Sequence, residues 1–358
     1  MPFFWNRPPP AANAIRADAA RSSRIDRHIG TLIRTDDPGL ALAVTKSGTI
    51  VHAAGYGLAD LNRNVPAGPD TIYHLASCGK QFTALGILML AEEGKLGLDD
   101  PVGTHLRGLA GFGPKVTLRQ LLHHTSGIRD LYDENGMDEV LDRCERPTNA
   151  DIIRIYADLG CPMAGRRTEP GDTFSYSNSG YDMLGAVIER VSGQSYHDFF
   201  ENRVFGRLGM KDTFSVPDRR VGDRRRATGY MLDEDEGFIE DEGSPFNDLV
   251  GSGSFYTTVL DLCRYDQALA ANSLVGEASM REALTSGETN NGKRTDYGFG
   301  WYLGTYKGQR FADHDGDWIG FYSYICRYLD AHLSIFMLSN NPEIDCAAVV
   351  RASADTFL

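Results

Sequence analysis

A serine and a lysine stand three residues apart at the head of an apolar segment. Ser77 and Lys80 begin a run whose following residues, to about position 94, are apolar enough to predict a long buried helix. A helix places the hydroxyl and the amine on one face, about 4.5 Å apart along its axis. Serine becomes a good nucleophile when a neighbouring base takes its proton. The pair therefore predicts a serine hydrolase that works through a covalent acyl-enzyme.

More ordinary roles compete with this interpretation. Ser77 could cap the helix N-terminus, and Lys80 could be a solvated lysine of the first turn. The apolar surroundings of Lys80 favour burial instead, and burial at a helix N-terminus disfavours the charged amine and lowers its pKa. Cys78 adjoins the proposed nucleophile, but it is Ser77 that has the lysine three residues later.

The elements that would position this pair follow from the patterns of apolar residues. Short apolar runs predict strands at both ends of the chain, at 39–45, 49–57, 297–303, 310–314, 321–328 and 333–338. Helical periodicity predicts helices at 11–35, 77–94, 118–124, 150–159, 180–191, 196–208, 259–270 and 345–357.

Strands at both ends and helices between them predict an α/β fold. The simplest topology is an antiparallel sheet flanked by helices, with an all-α domain inserted beside it. We assign 11–94 and 255–358 to the α/β domain and 95–254 to the mostly helical domain, with the active site between them. Residues 1–10 are predicted to be an N-terminal arm.

The charge of the chain restricts its partners. The 358 residues carry a net charge of −13, which disfavours nucleic acid as a partner. A basic run at 219–226 and an acidic run at 233–242 predict a solvated loop whose halves pair, or alternatively a flap over a cleft. The expected ligand is a small molecule or a short peptide, and the oligomeric state is left open.

No cofactor or metal is expected. The six cysteines form no C-x-x-C pair, and the adjacent His123 and His124 would point in different directions on a helix. Scattered single cysteines fit a reducing compartment. No run reaches about 18 apolar residues and no signal-peptide pattern begins the chain, so we expect no membrane span and a cytoplasmic location.

Three motifs, in order, resemble those of one enzyme family. They are Ser77-Cys78-Gly79-Lys80, Tyr176-Ser177-Asn178 and His314-Asp315-Gly316, spaced by about 100 and about 140 residues. The chain resembles the penicillin-recognising serine hydrolases, on the branch of class C β-lactamases, D-alanyl-D-alanine carboxypeptidases, D-aminopeptidases and β-lactamase-like esterases. Residues 121–127 and 298–301 also agree, and the resemblance covers about 35–345.

The resemblance implies roles for the first two motifs. Ser77 would attack a carbonyl carbon, and Lys80 would accept its proton. Tyr176 would share proton transfer with the leaving group or the deacylating water, as a phenolate if Lys80 supplies the positive neighbour that this requires. Asn178 would bind both Lys80 and a substrate carbonyl. Ordinary packing or turn chemistry is the alternative role for Tyr176 and Asn178.

The third motif would complete the site. His314 stands where many relatives have lysine, and would donate to Tyr176 or to a substrate carboxylate unless it is only a satisfied polar residue at a strand end. Gly316 would let the strand approach the ligand. The backbone N–H groups of Ser77 and Asp317 would form the oxyanion hole.

Two carboxylates distinguish this chain from the family pattern. Asp315 and Asp317 are acidic where relatives usually carry hydroxyl or glycine residues. Their negative charges would repel anionic substrates, so a substrate with a cationic amine or a neutral ester is favoured. An esterase or D-stereospecific peptidase is therefore favoured over a β-lactamase or a carboxypeptidase. The alternative of another class is a non-catalytic ligand-binding protein on the same fold.

Overall fold

A computed structural model describes most of the chain. The described residues are 13–109, 111–158, 168–215, 223–241 and 243–358. The predicted arm, Cys161 and the beginning of the charged segment lie outside these ranges. Within them, every helix is too short or too polar to cross a membrane.

The strands of the described residues come mainly from the two ends of the chain. They are β1 Ile15–Arg16, β2 Leu40–Lys46, β3 Thr49–Tyr56, β4 Leu58–Asp60, β5 Val65–Pro66, β6 Tyr73–His74, β7 Phe214–Ser215, β8 Tyr230–Asp233, β9 Gly237–Glu240, β10 Phe255–Thr257, β11 Tyr302–Tyr306, β12 Gln309–Trp318, β13 Phe321–Tyr328 and β14 Leu333–Ser339.

One antiparallel sheet joins the two ends. Its spatial order is β1-β3-β2-β14-β13-β12-β11. The junction is the pairing of β2 with β14, in which Leu40 lies opposite Ser339 and Lys46 opposite Leu333. Flanking helices complete the predicted α/β fold class, which is confirmed.

The α-helices of the described residues follow in chain order. They are α1 Ala19–Ile29, α2 Lys80–Glu92, α3 Val102–His105, α4 Leu118–Leu122, α5 Glu134–Leu141, α6 Asn149–Asp158, α7 Asn178–Ser192, α8 Tyr196–Phe200, α9 Gly206–Leu208, α10 Val259–Ala270, α11 Glu277–Ala283 and α12 Cys346–Phe357. Short 3₁₀ turns cover Ala76–Gly79 and Pro245–Asp248.

The sheet is covered on both faces. β14 is buried along its whole length, because α12 packs on one face and α10 on the other. Alternate β14 residues accordingly belong to two different cores: Ile335 joins the core under α1 and α12, and Phe336 joins the larger core that continues into the helices.

The helical layer is built around α7. This helix packs against α2, α4, α6 and α8, so α2 connects the sheet to the helices. The described residues of 95–254 contribute no strand to the seven-stranded sheet. We keep the division into an α/β part and a mostly helical part as a proposal on this basis.

Two strands differ from their predicted bounds. The run 297–303 becomes a strand only from Tyr302, because Gly300 adopts a left-handed φ of +77° and packs on α2: a Cβ there would lie 2.9 Å from the backbone of Lys80. The predicted strand 310–314 continues to Trp318, paired with β13 throughout.

Three helices also differ from prediction. The predicted helix 77–94 is α-helical only over Lys80–Glu92, and Ser77 lies in the 3₁₀ turn that precedes it. The predicted helix 11–35 covers only Ala19–Ile29, because Asp18 caps its N-terminus and Gly30 ends it. The predicted helix 196–208 is interrupted by a π turn at Glu201–Phe205.

In the described part of the charged segment, both runs form local contacts. The basic Arg225 bonds Asp212 and Asp223, at 2.7 and 3.0 Å. The acidic run instead turns the β8–β9 hairpin, where Asp233 accepts the backbone N–H groups of Asp235 and Glu236. Local backbone donors therefore bind Asp233, and the pairing of the two halves stays a prediction.

Candidate active site

The proposed nucleophile and its lysine are in contact. The amine Nζ of Lys80 lies 3.0 Å from the Ser77 hydroxyl, 2.7 Å from the Asn178 amide oxygen and 2.7 Å from the Ser252 carbonyl oxygen. The Lys80 side chain is fully buried. A neutral amine has two N–H bonds and one lone pair. The oxygens of Asn178 and Ser252 can only accept, so they take the two N–H bonds. The lone pair then faces the Ser77 hydroxyl.

The surroundings of Lys80 favour this neutral form. Burial lowers the pKa of Lys80 to about 7, although the carboxylates of Asp182 and Asp130 act in the opposite direction. The amine is therefore present both with and without its third proton near neutral pH. A group with that property can take a proton from serine and return it later.

Tyr176 lies beside both groups. Its ring centre is 4.8 Å from the Lys80 amine. Burial raises the pKa of Tyr176 well above its usual value, and the interaction of its hydroxyl with the nearby Ser77 side chain offsets this only in part. The phenol therefore remains protonated and acts as a donor, whereas the sequence had suggested a phenolate.

Asn178 is held by the N-terminus of α7. The Ser177 hydroxyl caps the helix by accepting the N–H of Gly180 at 3.0 Å. The carboxylate of Asp130 accepts the N–H groups of Asn178 and Ser179, at 3.3 and 3.0 Å. Sequence reasoning missed Asp130, which lies 48 residues before the helix that it supports.

The hydrogen-bond partners of His314 differ from those that we expected. Its Nδ1 faces the Asp315 carbonyl oxygen at 2.5 Å, so Nδ1 carries the proton and Nε2 accepts from the Tyr297 hydroxyl at 3.0 Å. Burial and the nearby Lys80 lower the pKa of His314 to about 4. The predicted bond from His314 to Tyr176 is not formed, and the neutral ring has no free N–H for a substrate carboxylate.

Gly316 brings strand β12 against the nucleophile. A Cβ at this position would lie 2.9 Å from the Ser77 backbone nitrogen and 2.9 Å from the Leu75 carbonyl oxygen. Any side chain would push the strand away from the nucleophile. The next residue of the strand, Asp317, lines the same cavity as Ser77.

The cavity in front of Ser77 is small and partly aromatic. It measures about 60 Å³ and opens between the Ser77 turn, β12 and the segment that precedes β10. Tyr132, Phe246 and Trp318 line it together with Asn178. The three aromatic residues were not predicted, because each comes from a different part of the chain.

Comparison with known proteins agrees with this geometry. The family model described as Beta-lactamase matches residues 25–353. The chain belongs to the beta-lactamase family. The resemblance inferred from the three motifs is thereby confirmed, and the enzymes of this family are serine hydrolases.

Individual relatives of this beta-lactamase family member cover most of it. Penicillin-binding protein 4* of Bacillus subtilis is 35% identical over 88% of the chain and 72% of its own length. The chain spans about 60% of the length of the curated relatives that match it less strongly. A solved octameric penicillin-binding protein homologue from Pyrococcus abyssi has a TM-score of 0.80 at 27% identity, over 94% of this chain and 76% of that one.

An amidase has the same fold. The D-amino acid amidase from Ochrobactrum anthropi SV3, solved with L-phenylalanine amide, has a TM-score of 0.76 at 24% identity, over 95% of this chain and 98% of that one. At this identity the likeness concerns the fold alone.

The charges around the cavity of this beta-lactamase family member are negative. Partial burial and the carboxylates of Asp315 and Asp241 raise the pKa of Asp317. Asp315 is exposed on the same strand. Among the described residues, no group of three His, Cys, Asp or Glu side chains is arranged to hold a metal ion.

Proposed function

We propose that the protein hydrolyses esters or amides through an acyl-enzyme on Ser77, as an esterase or a D-stereospecific peptidase or amidase. The observation that carries this proposal is the Lys80 amine, whose two carbonyl partners direct its lone pair at the Ser77 hydroxyl. A lysine that only stabilised a binding pocket would gain nothing from such an arrangement.

The geometry supports a two-step reaction. Lys80 takes the proton of the Ser77 hydroxyl while the oxygen attacks the substrate carbonyl carbon, and the backbone N–H groups of Ser77 and Asp317 bind the resulting oxyanion. The Tyr176 phenol gives its proton to the leaving group and recovers one from Lys80. Water then attacks the acyl-enzyme by the reverse proton route, which frees Ser77.

The acidic rim narrows the substrate class. Asp315 and Asp317 repel an anionic substrate, and His314 offers no N–H to a carboxylate. Neutral esters and substrates with a cationic amine are favoured over penicillins and over peptides with a free C-terminal carboxylate. Amides of D-amino acids carry such an amine, and the amidase from Ochrobactrum anthropi makes them a natural class to assay.

Burst kinetics test the nucleophile. A p-nitrophenyl ester should release a burst of nitrophenol equal to the enzyme, followed by a slower steady rate as the acyl-enzyme turns over. Ser77→Ala should abolish the burst and lower the steady rate by several orders of magnitude, because it removes the attacking oxygen. Mass spectrometry should find the acyl group on the peptide that contains Ser77.

Ser195→Ala is the matched control. Ser195 caps the short helix α8 on the surface, so its loss affects a local cap only. This variant should keep the burst. Turnover by Ser77→Ala at the wild-type rate would show that another residue is the nucleophile and would reject the proposed function.

A further inference from the structure

His124 binds the backbone on both sides of Tyr176. Its carbonyl oxygen accepts the N–H of Ser175 at 2.8 Å, and its ring Nδ1 accepts the N–H of Ser177 at 3.1 Å. One residue therefore binds the backbone N–H groups of the residues before and after Tyr176, although it lies more than 50 residues earlier in the chain.

The backbone of His124 is strained in a way that permits both bonds. Its φ is +57°, a left-handed conformation that costs a histidine about 1 kcal/mol relative to ordinary backbone. Such strain persists where the surrounding structure requires it and is concentrated at functional sites.

The ring of His124 fills the space behind the phenol. Its centre lies 4.4 Å from that of Tyr176 and 4.7 Å from that of Tyr297, and the residue is only 1% exposed. Burial lowers the pKa of His124 well below its usual value, as do Lys80 and His314. The ring thus stays neutral, with Nδ1 free to accept and the proton on Nε2, which has no hydrogen-bond partner among the described residues.

We propose that His124 is a positioning residue of the hydrolytic site, which holds the Tyr176 phenol at Ser77 by fixing the backbone on either side of it. The inference rests on the proposed function, because it assigns Tyr176 the donation of a proton to the leaving group. His124 is the second histidine of the 121–127 segment and takes no direct part in the reaction. The inference gives this residue a role.

Two substitutions separate the acceptor from the backbone conformation. Asparagine and glycine both tolerate a left-handed φ, but only asparagine places an acceptor near the position of Nδ1. His124→Gly should therefore lose the bond to Ser177, and His124→Asn should keep it. His52→Phe is the control, because His52 is a fully buried neutral histidine of β3, on the sheet, outside the cavity of Ser77.

The readout is the dependence on the leaving group. A nitrophenolate leaves without a proton, whereas an alkoxide needs one, so a misplaced phenol should slow alkyl esters selectively. For His124→Gly we expect kcat/KM, which reports the acylation step, to fall at least about tenfold more on an alkyl ester than on the p-nitrophenyl ester of the same acid. His124→Asn should restore most of the difference, and His52→Phe should show none. Thermal unfolding identifies the folded variants.

The outcomes distinguish the two proposals. If His124→Gly slows both esters equally, or if His124→Asn restores nothing while folded, His124 is only a packing residue. If His124→Gly does not fold, His124→Ala, which also lacks the acceptor, takes its place: a selective loss on the alkyl ester supports the role, and a folded His124→Ala with the wild-type ratio overturns it. A Ser77→Ala variant that remains active rejects the reaction itself and this inference with it.

Discussion

At the scale of the single residue, the site depends on the burial of one lysine. In water an amine with a pKa near 10.4 is almost fully protonated at pH 7 and cannot serve as a base. Burial brings the Lys80 pKa to about 7, while two carbonyl oxygens and the Ser77 hydroxyl satisfy its hydrogen bonds. A buried Asp182 opposes the shift, since a negative charge favours the ammonium form.

The pH dependence of the reaction should report this lysine. Because the reaction needs neutral Lys80, kcat/KM should rise with pH through about 7. Burial raises the pKa of Asp182 to about 7 as well, so Asp182 raises the Lys80 pKa in its ionised form. Asp182→Asn removes that charge, so the rise should move to lower pH. The asparagine can still accept the N–H of Ser252, which Asp182 accepts at 3.1 Å. The measurement is a pH profile from pH 5 to 9.

Asp261→Asn is the matched control for that profile. Asp261 is also buried and likewise accepts one backbone N–H, from Asp212, and one hydroxyl, from Thr213, and it also pairs with Arg264 at the surface at 2.7 Å. It is absent from the charges that act on Lys80. Its profile should coincide with that of the wild type; an identical displacement in both variants would show that the profile reports general stability.

At the scale of the element, α7 carries Asn178 into the site. The helix begins at Asn178 itself, so the position of that side chain depends on the capping of the first turn. The Ser177 hydroxyl and the Asp130 carboxylate share this task, and a carboxylate at a helix N-terminus also interacts favourably with the helix dipole. The Asp130 side chain thus supports the element that completes the Lys80 partners.

Loss of this cap should destabilise the protein measurably. Asp130→Asn replaces an acceptor by an amide that turns one donor toward the backbone N–H groups, so we expect a cost of about 1 to 3 kcal/mol in the free energy of unfolding. Ser195→Ala, at the exposed cap of α8, should cost about 1 kcal/mol or less. Urea unfolding measures both, and an equal cost for the two would contradict the special role of Asp130.

At the scale of the whole molecule, the net charge is −13, and negative side chains also lie at the mouth of the cavity. Asp315 and Asp317 come from β12, and Asp241, whose charge acts on Asp317, comes from the segment after β9. The rim therefore joins parts of the chain that are distant in sequence. Its field acts on any substrate that enters, and solvent ions weaken it beyond about 10 Å.

Substrate charge should reveal that field. Asp317→Asn should lower kcat/KM for a cationic ester relative to an anionic ester of equal size by roughly two- to tenfold at low salt, and the difference should shrink in 0.5 M NaCl. Asp330→Asn is the control, because Asp330 pairs with Arg310 at the opposite end of β12. A charge preference that survives Asp317→Asn unchanged would place its origin elsewhere.

The amino-acid sequence by itself determined the local part of the site. The Ser77–Lys80 spacing, the glycine at 316 and the strand and helix patterns depend on near neighbours, and periodicity reports near neighbours directly. Element bounds were less accurate where a tertiary contact ended or extended an element. The segment 297–301 left the sheet to pack on α2, and β12 continued past its predicted end because β13 pairs with it.

Only the tertiary structure decided the protonation and the partners. The third partner of Lys80 is the backbone of Ser252, the partner of His314 is Tyr297, and the support of Tyr176 is His124. A pKa depends on burial and on charges that packing brings close, and neither has a periodic signal along the chain. The reactive residues could therefore be identified from their order along the sequence. Their protonation and their hydrogen-bond partners, by contrast, are properties of the folded molecule.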